Sequence, residues 1–204
     1  MTMTMDILDD VDDPASERTF SLESYSRGDD GVVFFREPRR LAGLAILTRD
    51  DGQWVYFPST GRVRMLSGAA RSGSVSGVGG DFSYEDLGAG SWGDDYEFTI
   101  DSIDEDAWTL EGRPASADSA YNRIVMEVPA RDFIPRRIEF YEGDHELSKT
   151  LTVVQVEEFS GRLTPAVMIM ESSAGTSRTT VEVRNVEFDR DLPDSLFHPG
   201  RFYR

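Results

Sequence analysis

The sequence contains no cysteine and only one lysine, Lys149, among its 204 residues. Without cysteine the chain cannot form disulfides, bind a metal through thiolates or use a thiol nucleophile. Its 21 Lys and Arg residues face 38 Asp and Glu residues, so the formal net charge is −17. Nucleic acids and anionic membrane surfaces attract clustered positive charge, so we expect neither as a partner.

Catalytic and metal-binding motifs are also scarce. The two histidines, His145 and His198, have no second ligand at the spacing of a zinc site. The segment GSVSG resembles a hydrolase nucleophile elbow but places Val75 where the serine is required. The acidic runs 9–13 and 104–106 lack the alternating ligands and the glycine of an EF-hand loop, so we interpret both as solvated turns. The sequence therefore predicts neither an enzyme nor a protein with a metal or other cofactor.

Long apolar runs are missing too, and short strand patterns fill the chain instead. No stretch reaches the roughly 18 apolar residues of a transmembrane helix. Apolar and polar residues alternate from Met1 to Ile7, as in a half-buried strand, and we expect that an export leader has been trimmed ahead of it. Strands of this spacing, separated by turn residues, indicate one all-β domain spanning residues 1–204. Further strands are predicted around 20–22 and at 31–35, 41–47, 52–57, 61–66, 95–102, 106–112, 120–128, 136–142, 147–158, 165–171 and 177–189.

Two segments depart from simple alternation. Residues 67–80 form a Gly- and Ser-rich loop that is long for a connection within a compact β domain. Residues 81–87 carry a short helix signal, with Asp81 or Ser83 as the N-cap. The predicted strand 52–57 is unusual in another way, because its residues from Trp54 to Phe57 are apolar on both faces. Such a strand requires covering structure on both sides of the sheet.

These segments resemble the bacterial outer-membrane lipoprotein-sorting proteins, the LolA-like family of the LolA-LolB-LppX superfamily. The most specific block is WVYFPSTGRVRMLSG at 54–68, followed by GGDFSYEDL at 79–87. The segments FFREPRRLAGLAIL at 34–47, YNRIVMEVPARDFIPRRIEFYEGD at 121–144 and the closing residues 168–202 extend the resemblance over nearly the whole chain. The N-terminal helix typical of the family is missing here, which we attribute to trimming.

The resemblance implies an incomplete, strongly curved antiparallel β-barrel, a half-barrel, with a concave hydrophobic face and a short helix and loop lid. We expect residues 67–87 to form this lid; the alternative for residues 67–80 is a mobile surface crossover. LolA-like proteins carry acyl chains of lipids or lipoproteins across the periplasm. The resemblance therefore implies a periplasmic carrier for outer-membrane lipoprotein sorting or envelope lipid transport. Its implied partners are acyl lipids or lipoprotein acyl chains, and an inner- or outer-membrane transport protein.

The predicted ligand-binding residues are apolar side chains of the strands and the lid. Methionine suits such a lining because its flexible thioether adapts to ligands of variable shape. The alternative for the methionines is that they fill gaps in a closed core. The predicted set is Met3, Met5, Phe34, Trp54, Tyr56, Met65, Phe82, Tyr84, Met126, Phe140, Met168 and Met170.

Two other functions fit the same pattern. An extracytoplasmic sensor or adaptor domain would use the cavity to detect lipoproteins and would bind a membrane transporter partner, and the fold alone does not separate carriage from sensing. A structural envelope module would have an interior filled by its own side chains. Ligand exchange distinguishes a carrier from a filled core, and a stable membrane-protein partner would favour the sensor.

Overall fold

The computed structural model describes residues 1–50, 52–66, 70–88, 95–115 and 119–204. A short helix, α1 (Tyr84–Leu87), and 3-10 helices at Pro14–Ser16 and Asp194–Phe197 lie among them. None of the described helices has the length and apolar character needed to span a membrane. The strands are β1 (Thr2–Leu8), β2 (Glu17–Arg27), β3 (Asp30–Glu37), β4 (Ala45–Arg49), β5 (Gly52–Phe57), β6 (Arg62–Leu66), β7 (Tyr96–Ile103), β8 (Ala107–Pro114), β9 (Arg123–Pro129), β10 (Arg137–Tyr141), β11 (Leu147–Phe159), β12 (Arg162–Ser172) and β13 (Arg178–Asn185).

The thirteen strands form one antiparallel sheet in the order β6-β5-β4-β3-β2-β1-β13-β12-β11-β10-β9-β8-β7. Neighbouring strands are consecutive in sequence except at the centre, where β1 pairs with β13. Within the described residues the sheet does not close, and β6 and β7 are its two edges. The sheet is therefore an open, curled half-barrel, which confirms the fold that the sequence predicts.

The path of the chain explains the position of the lid. Strands β1 to β6 run outward from the centre of the sheet to one edge, and β7 to β13 return from the opposite edge to the centre. Residues 67–95 must therefore connect the two edges. The described part of the lid, residues 70–87, makes this crossing over the concave face, where its apolar side chains join those of the strands.

Both faces of the sheet are covered, each by a different segment. Because side chains alternate along a strand, Val55 and Phe57 face the concave core while Trp54 and Tyr56 face outward. The outer face packs against the C-terminal segment 192–203, where the ring of Tyr203 stacks on that of Tyr56 at 4.1 Å. This arrangement explains why the strand β5 is apolar on both sides.

One predicted strand begins later than its apolar run suggests. Residues Leu41 to Leu44 form a turn, in which the Leu41 amide donates to the Pro38 carbonyl and the Leu44 amide to the Leu41 carbonyl, each at 2.9 Å. Strand β4 starts only at Ala45. A short apolar run does not by itself distinguish a buried strand from a buried turn, and Gly43, with φ of +90°, supplies the bend.

Candidate functional site

The lid fills the middle of the concave face with its own side chains. Val75, Val78, Phe82 and Tyr84 are buried in the same hydrophobic core cluster as the strand residues beneath them. The lid also folds back on itself, because Ser74 pairs with Ser83 as an isolated β-bridge. The Tyr84 hydroxyl accepts a hydrogen bond from the Ser76 amide at 2.9 Å. The lid is thus a compact unit that lies on the sheet and shares no strand ladder with it among the described residues.

Gly80 brings the lid against the centre of the sheet. Its φ is +77°, and a Cβ atom at this position would lie 2.7 Å from Cδ1 of Ile7 and 2.9 Å from Oγ1 of Thr179. Ile7 lies on β1 and Thr179 lies opposite it on β13. Glycine is therefore required both by the backbone conformation and by the close approach.

Asp81 fixes the lid to strand β13 through hydrogen bonds. Its Oδ1 accepts from the Ser177 hydroxyl at 2.5 Å and its Oδ2 from the Thr179 hydroxyl at 3.0 Å. The Asp81 amide donates in turn to Thr179 Oγ1 at 3.1 Å. These contacts lie beside Gly80, so the lid is attached to the sheet where its backbone comes closest.

Asp86 is the second attachment of the lid, and it is an ion pair. The helix α1 begins after Ser83 with a capping box, in which the Asp86 carboxylate accepts the Ser83 amide at 2.6 Å. The same carboxylate accepts the Tyr121 hydroxyl at 2.8 Å on Oδ1 and Lys149 Nζ on Oδ2. Lys149 Nζ also donates to the Asp81 carbonyl at 2.8 Å. The side chains of Asp86 and Lys149 are only 2% and 9% exposed, so this is a buried ion pair.

Glu85 lies next to this pair and is poorly compensated. Its Oε1 accepts the Tyr96 hydroxyl at 3.2 Å, while Oε2 lies 3.6 Å from Nε of Arg71. Neither Glu85 Oε2 nor Arg71 Nε has a hydrogen-bond partner among the described residues. Burial raises the pKa of the Glu85 carboxyl, and the nearby Arg71 guanidinium only partly opposes this. Burial and the Glu85 charge likewise raise the pKa of Tyr96.

The structure brings most of the predicted ligand-binding residues together. Eight of them belong to, or pack against, the concave cluster: Met3, Met5, Phe82, Tyr84, Met126, Phe140, Met168 and Met170. It does not place the other four there. Phe34, Trp54 and Tyr56 pack on the outer face under the C-terminal segment, and Met65, opposite Trp54 on the edge strand β6, is 63% exposed. Alternation separates two faces of a strand but does not tell which one is concave.

Sequence reasoning missed the polar residues that hold the lid. Lys149 was visible as the one lysine of the chain, and alternation along β11 puts it in phase with Leu151 and Val153, which are buried. An inward-pointing lysine in a strand needs a partner, but nothing local identifies Asp86, which lies 63 residues away. Within the described residues, no group of three or more Asp, Glu or His side chains is placed to hold a metal ion.

A separate cavity of about 630 Å³ opens away from the concave face, between the end of β2 and the segment that follows β13. Its charged lining is largely self-compensated. Arg162 pairs with Asp189 at 2.7 Å, and Arg190 pairs with Glu187. We therefore regard the lid and the concave face beneath it as the candidate site.

Comparison with known proteins agrees with this arrangement. Residues 27–204 match a protein-family model described as "Uncharacterized protein". The chain is similar to the crystal structure of a proposed outer membrane lipoprotein-sorting protein domain from Vibrio parahaemolyticus, with 26% identity, a TM-score of 0.81 and coverage of 100% of this chain and 90% of that one. No curated protein matches the sequence.

Two further solved structures share the fold. A DUF1329 family protein from Desulfovibrio piger is 25% identical, with a TM-score of 0.81 and coverage of 97% of this chain and 88% of that one. A LolA superfamily protein from Nitrosomonas europaea is 23% identical, with a TM-score of 0.79 and the same coverage. The chain belongs to the family whose model matches residues 27–204, and its similarity to these structures confirms the resemblance to LolA-like, outer-membrane lipoprotein-sorting proteins seen in the sequence.

Proposed function

We propose that this protein is an extracytoplasmic, non-enzymatic carrier that binds acyl chains of lipids or lipoproteins on its concave face, in place of the lid. The observation that carries the proposal is the lid. Its buried side chains Val75, Val78, Phe82 and Tyr84 cover an apolar sheet face, yet their segment belongs to no ladder of the sheet. The lid can therefore leave the concave face without breaking a strand pair, and an acyl chain can replace its side chains.

The free energies of burying an acyl chain and of burying the lid side chains are similar, which favours reversible exchange of the two on the concave face. Burying a methylene contributes about 0.8 kcal/mol, so a chain of roughly 14 carbons contributes about 11 kcal/mol. Uncovering the four buried lid side chains costs about 1.5–3 kcal/mol each, or about 6–12 kcal/mol together. Since association carries its own entropic cost, the net affinity is modest. A carrier must release its cargo, and near-balanced exchange provides for this.

The family membership supports the same function. One neighbour in structure is named for outer membrane lipoprotein sorting, and we infer a related role and an extracytoplasmic location for this chain. We assign the acyl-binding surface to the six predicted residues of the concave cluster that lie on strands: Met3, Met5, Met126, Phe140, Met168 and Met170. The methionines among them, such as Met126 and Met170, suit ligands of variable shape.

The test is native mass spectrometry of the protein purified from a membrane-containing host, followed by displacement of a fluorescent fatty acid. We expect bound acyl lipid, and weaker binding when Met126 is changed to Gln. Met65→Gln is the matched control, because Met65 is exposed on the edge strand and should have no effect. Met168→Gln repeats the test at a half-buried position in case Met126→Gln does not fold. A protein that carries no lipid and takes up no fatty acid would refute the proposal.

A further inference from the structure

The lid and the sheet carry opposite charges where they meet. The lid contributes three carboxylates to this buried interface, Asp81, Glu85 and Asp86, while Arg71, also on the lid, lies beside Glu85. Lys149 approaches from strand β11 on the sheet, and Tyr121 lies just before β9. Lifting the lid therefore removes net negative charge from the concave face and leaves a lysine behind.

The partners of Asp86 divide into two groups when the lid lifts. Ser83 donates to it through its amide at 2.6 Å and its hydroxyl at 2.8 Å, and both groups move with the lid. Tyr121 and Lys149 stay on the sheet side and lose their acceptor. Asp86 thus remains hydrogen-bonded in the open state, whereas the lysine does not.

The surroundings of Lys149 make an unpaired ammonium unfavourable there. The rings of Tyr121 and Phe140 lie 5.3 and 5.7 Å from Nζ. Leu151, the next inward-facing residue of β11, and Met126 are both buried nearby in the concave cluster. A charge that loses its partner in such an environment is strongly unfavourable. The open state therefore favours a ligand that brings its own anion.

We propose that Lys149 Nζ and Tyr121 OH form a headgroup site that binds the carboxylate of a fatty-acid-like ligand, and that Asp86 occupies this site in the ligand-free protein. The Tyr121 hydroxyl donates to Oδ1 of Asp86 and Lys149 Nζ donates to Oδ2. The free carboxylate of a ligand would accept the same two hydrogen bonds. Burial and the neighbouring negative charge raise the pKa of Tyr121, so its hydroxyl keeps its proton and donates. The inference rests on the proposed function and narrows its ligand class to acyl chains with a free carboxylate.

The first test compares three ligands of one chain length: palmitic acid, cetyl alcohol and cetyl phosphate. We expect palmitic acid to bind about ten- to a hundred-fold more tightly than cetyl alcohol, the range of a hydrogen bond to a charged group. Equal binding of acid and alcohol would overturn the headgroup site and leave the carrier proposal intact. Binding of neither would overturn the carrier proposal itself. Tighter binding of cetyl phosphate than of palmitic acid would overturn the assignment of a carboxylate.

The second test isolates Lys149 with a matched pair of variants. Asp86→Asn loosens the lid and should strengthen the binding of acid and alcohol alike, leaving their ratio unchanged. Adding Lys149→Met to Asp86→Asn avoids a stranded carboxylate and should bring the acid-to-alcohol ratio close to one. Asp101→Asn, an exposed position with the same change of charge, should change neither affinity. If the double variant keeps its preference for palmitic acid, Lys149 does not bind the carboxylate of the ligand.

Discussion

Gly80 packs so closely against the sheet that the single methyl group added by Gly80→Ala should destabilise the closed lid. In Gly80→Ala the new Cβ would lie 2.7 Å from Ile7 Cδ1 and 2.9 Å from Thr179 Oγ1. Both residues are fully buried, so neither has free space to move into. Forcing an additional methyl group into packed structure costs about 1–3 kcal/mol, and alanine at a positive φ adds about 1–2 kcal/mol.

A matched control separates these two costs. Gly175, in the turn between β12 and β13, has a φ of +67° and nothing within 4 Å of the position of its Cβ. Gly175→Ala therefore carries the backbone cost without the collision. Because Gly175 lies outside the lid, Gly175→Ala should leave the opening equilibrium of the lid unchanged. The collision in Gly80→Ala should by itself shift that equilibrium by about 1–3 kcal/mol, roughly a 5- to 150-fold change.

Native-state hydrogen exchange measures this equilibrium. The amide of Asp81, which donates across the interface to Thr179 Oγ1 at 3.1 Å, should exchange faster in Gly80→Ala by that factor. Amides of strand pairs β10–β11 should keep their protection. Fatty-acid binding should become tighter in Gly80→Ala, because less free energy is needed to displace the lid. Equal lid exchange in Gly80→Ala and Gly175→Ala would refute the reasoning, since the collision would then have no consequence.

Three further predictions concern other parts of the molecule. Phe202→Ala should destabilise the fold by about 3–5 kcal/mol in urea unfolding, because Phe202 is a buried part of the outer-face cluster. Phe133→Ala, at a 61% exposed position whose ring lies 5.3 Å from that of Trp108, should cost only about 0.5–1.5 kcal/mol. Because burial raises the pKa of Glu85, its ionised form destabilises the fold. Glu85→Gln should therefore raise the urea midpoint at neutral pH, with the gain disappearing below the ordinary pKa of 4.5. We expect the exposed edge strand β7 to promote self-association, and Ile100→Lys, at a 57% exposed position on that strand, should reduce it in sedimentation velocity.

Each of these predictions has a contrary result. Similar losses in Phe202→Ala and Phe133→Ala would mean that the C-terminal segment does not stabilise the sheet. A lower urea midpoint for Glu85→Gln at neutral pH would show that the Arg71 charge outweighs the burial of the carboxyl. An unchanged sedimentation profile of Ile100→Lys would show that the edge strand does not mediate association.

Local patterns predicted the strands well because the alternation of apolar and polar residues in a strand is visible within a few neighbouring residues. Alternation at Met1–Ile7 and the apolar run at 31–35 correspond to β1 and β3, and the predicted strand 52–57 has the bounds of β5. Ser83 is the N-cap of α1, one of the two residues considered from sequence. Where the chain departs from prediction, as at Leu41, a buried turn has the composition of a strand.

Tertiary relations were beyond local patterns. The curvature of the whole sheet decides which face of β5 lines the concave core. The local pattern does not reveal it, and Trp54 and Tyr56 lie on the outer face. The C-terminal segment that covers them lies more than a hundred residues along the chain. The pairing of Lys149 with Asp86 likewise depends on the crossing of the lid, which the sequence marks only as a long Gly- and Ser-rich loop.

The lid is joined to the sheet at both ends, because the chain enters it from the edge strand β6 and leaves it toward the edge strand β7. A flap that is attached at one end can swing away from the surface it covers. A segment attached at both β6 and β7 has to move outward between two attachment points. A change in the curvature of the sheet changes the separation of its edges, and with it the distance that the chain between β6 and β7 has to span. A change in the curvature of the sheet and the opening of the lid are therefore mechanically coupled. If the protein is the carrier we propose, a partner that docks on either edge strand and bends it would change ligand binding without contacting the ligand.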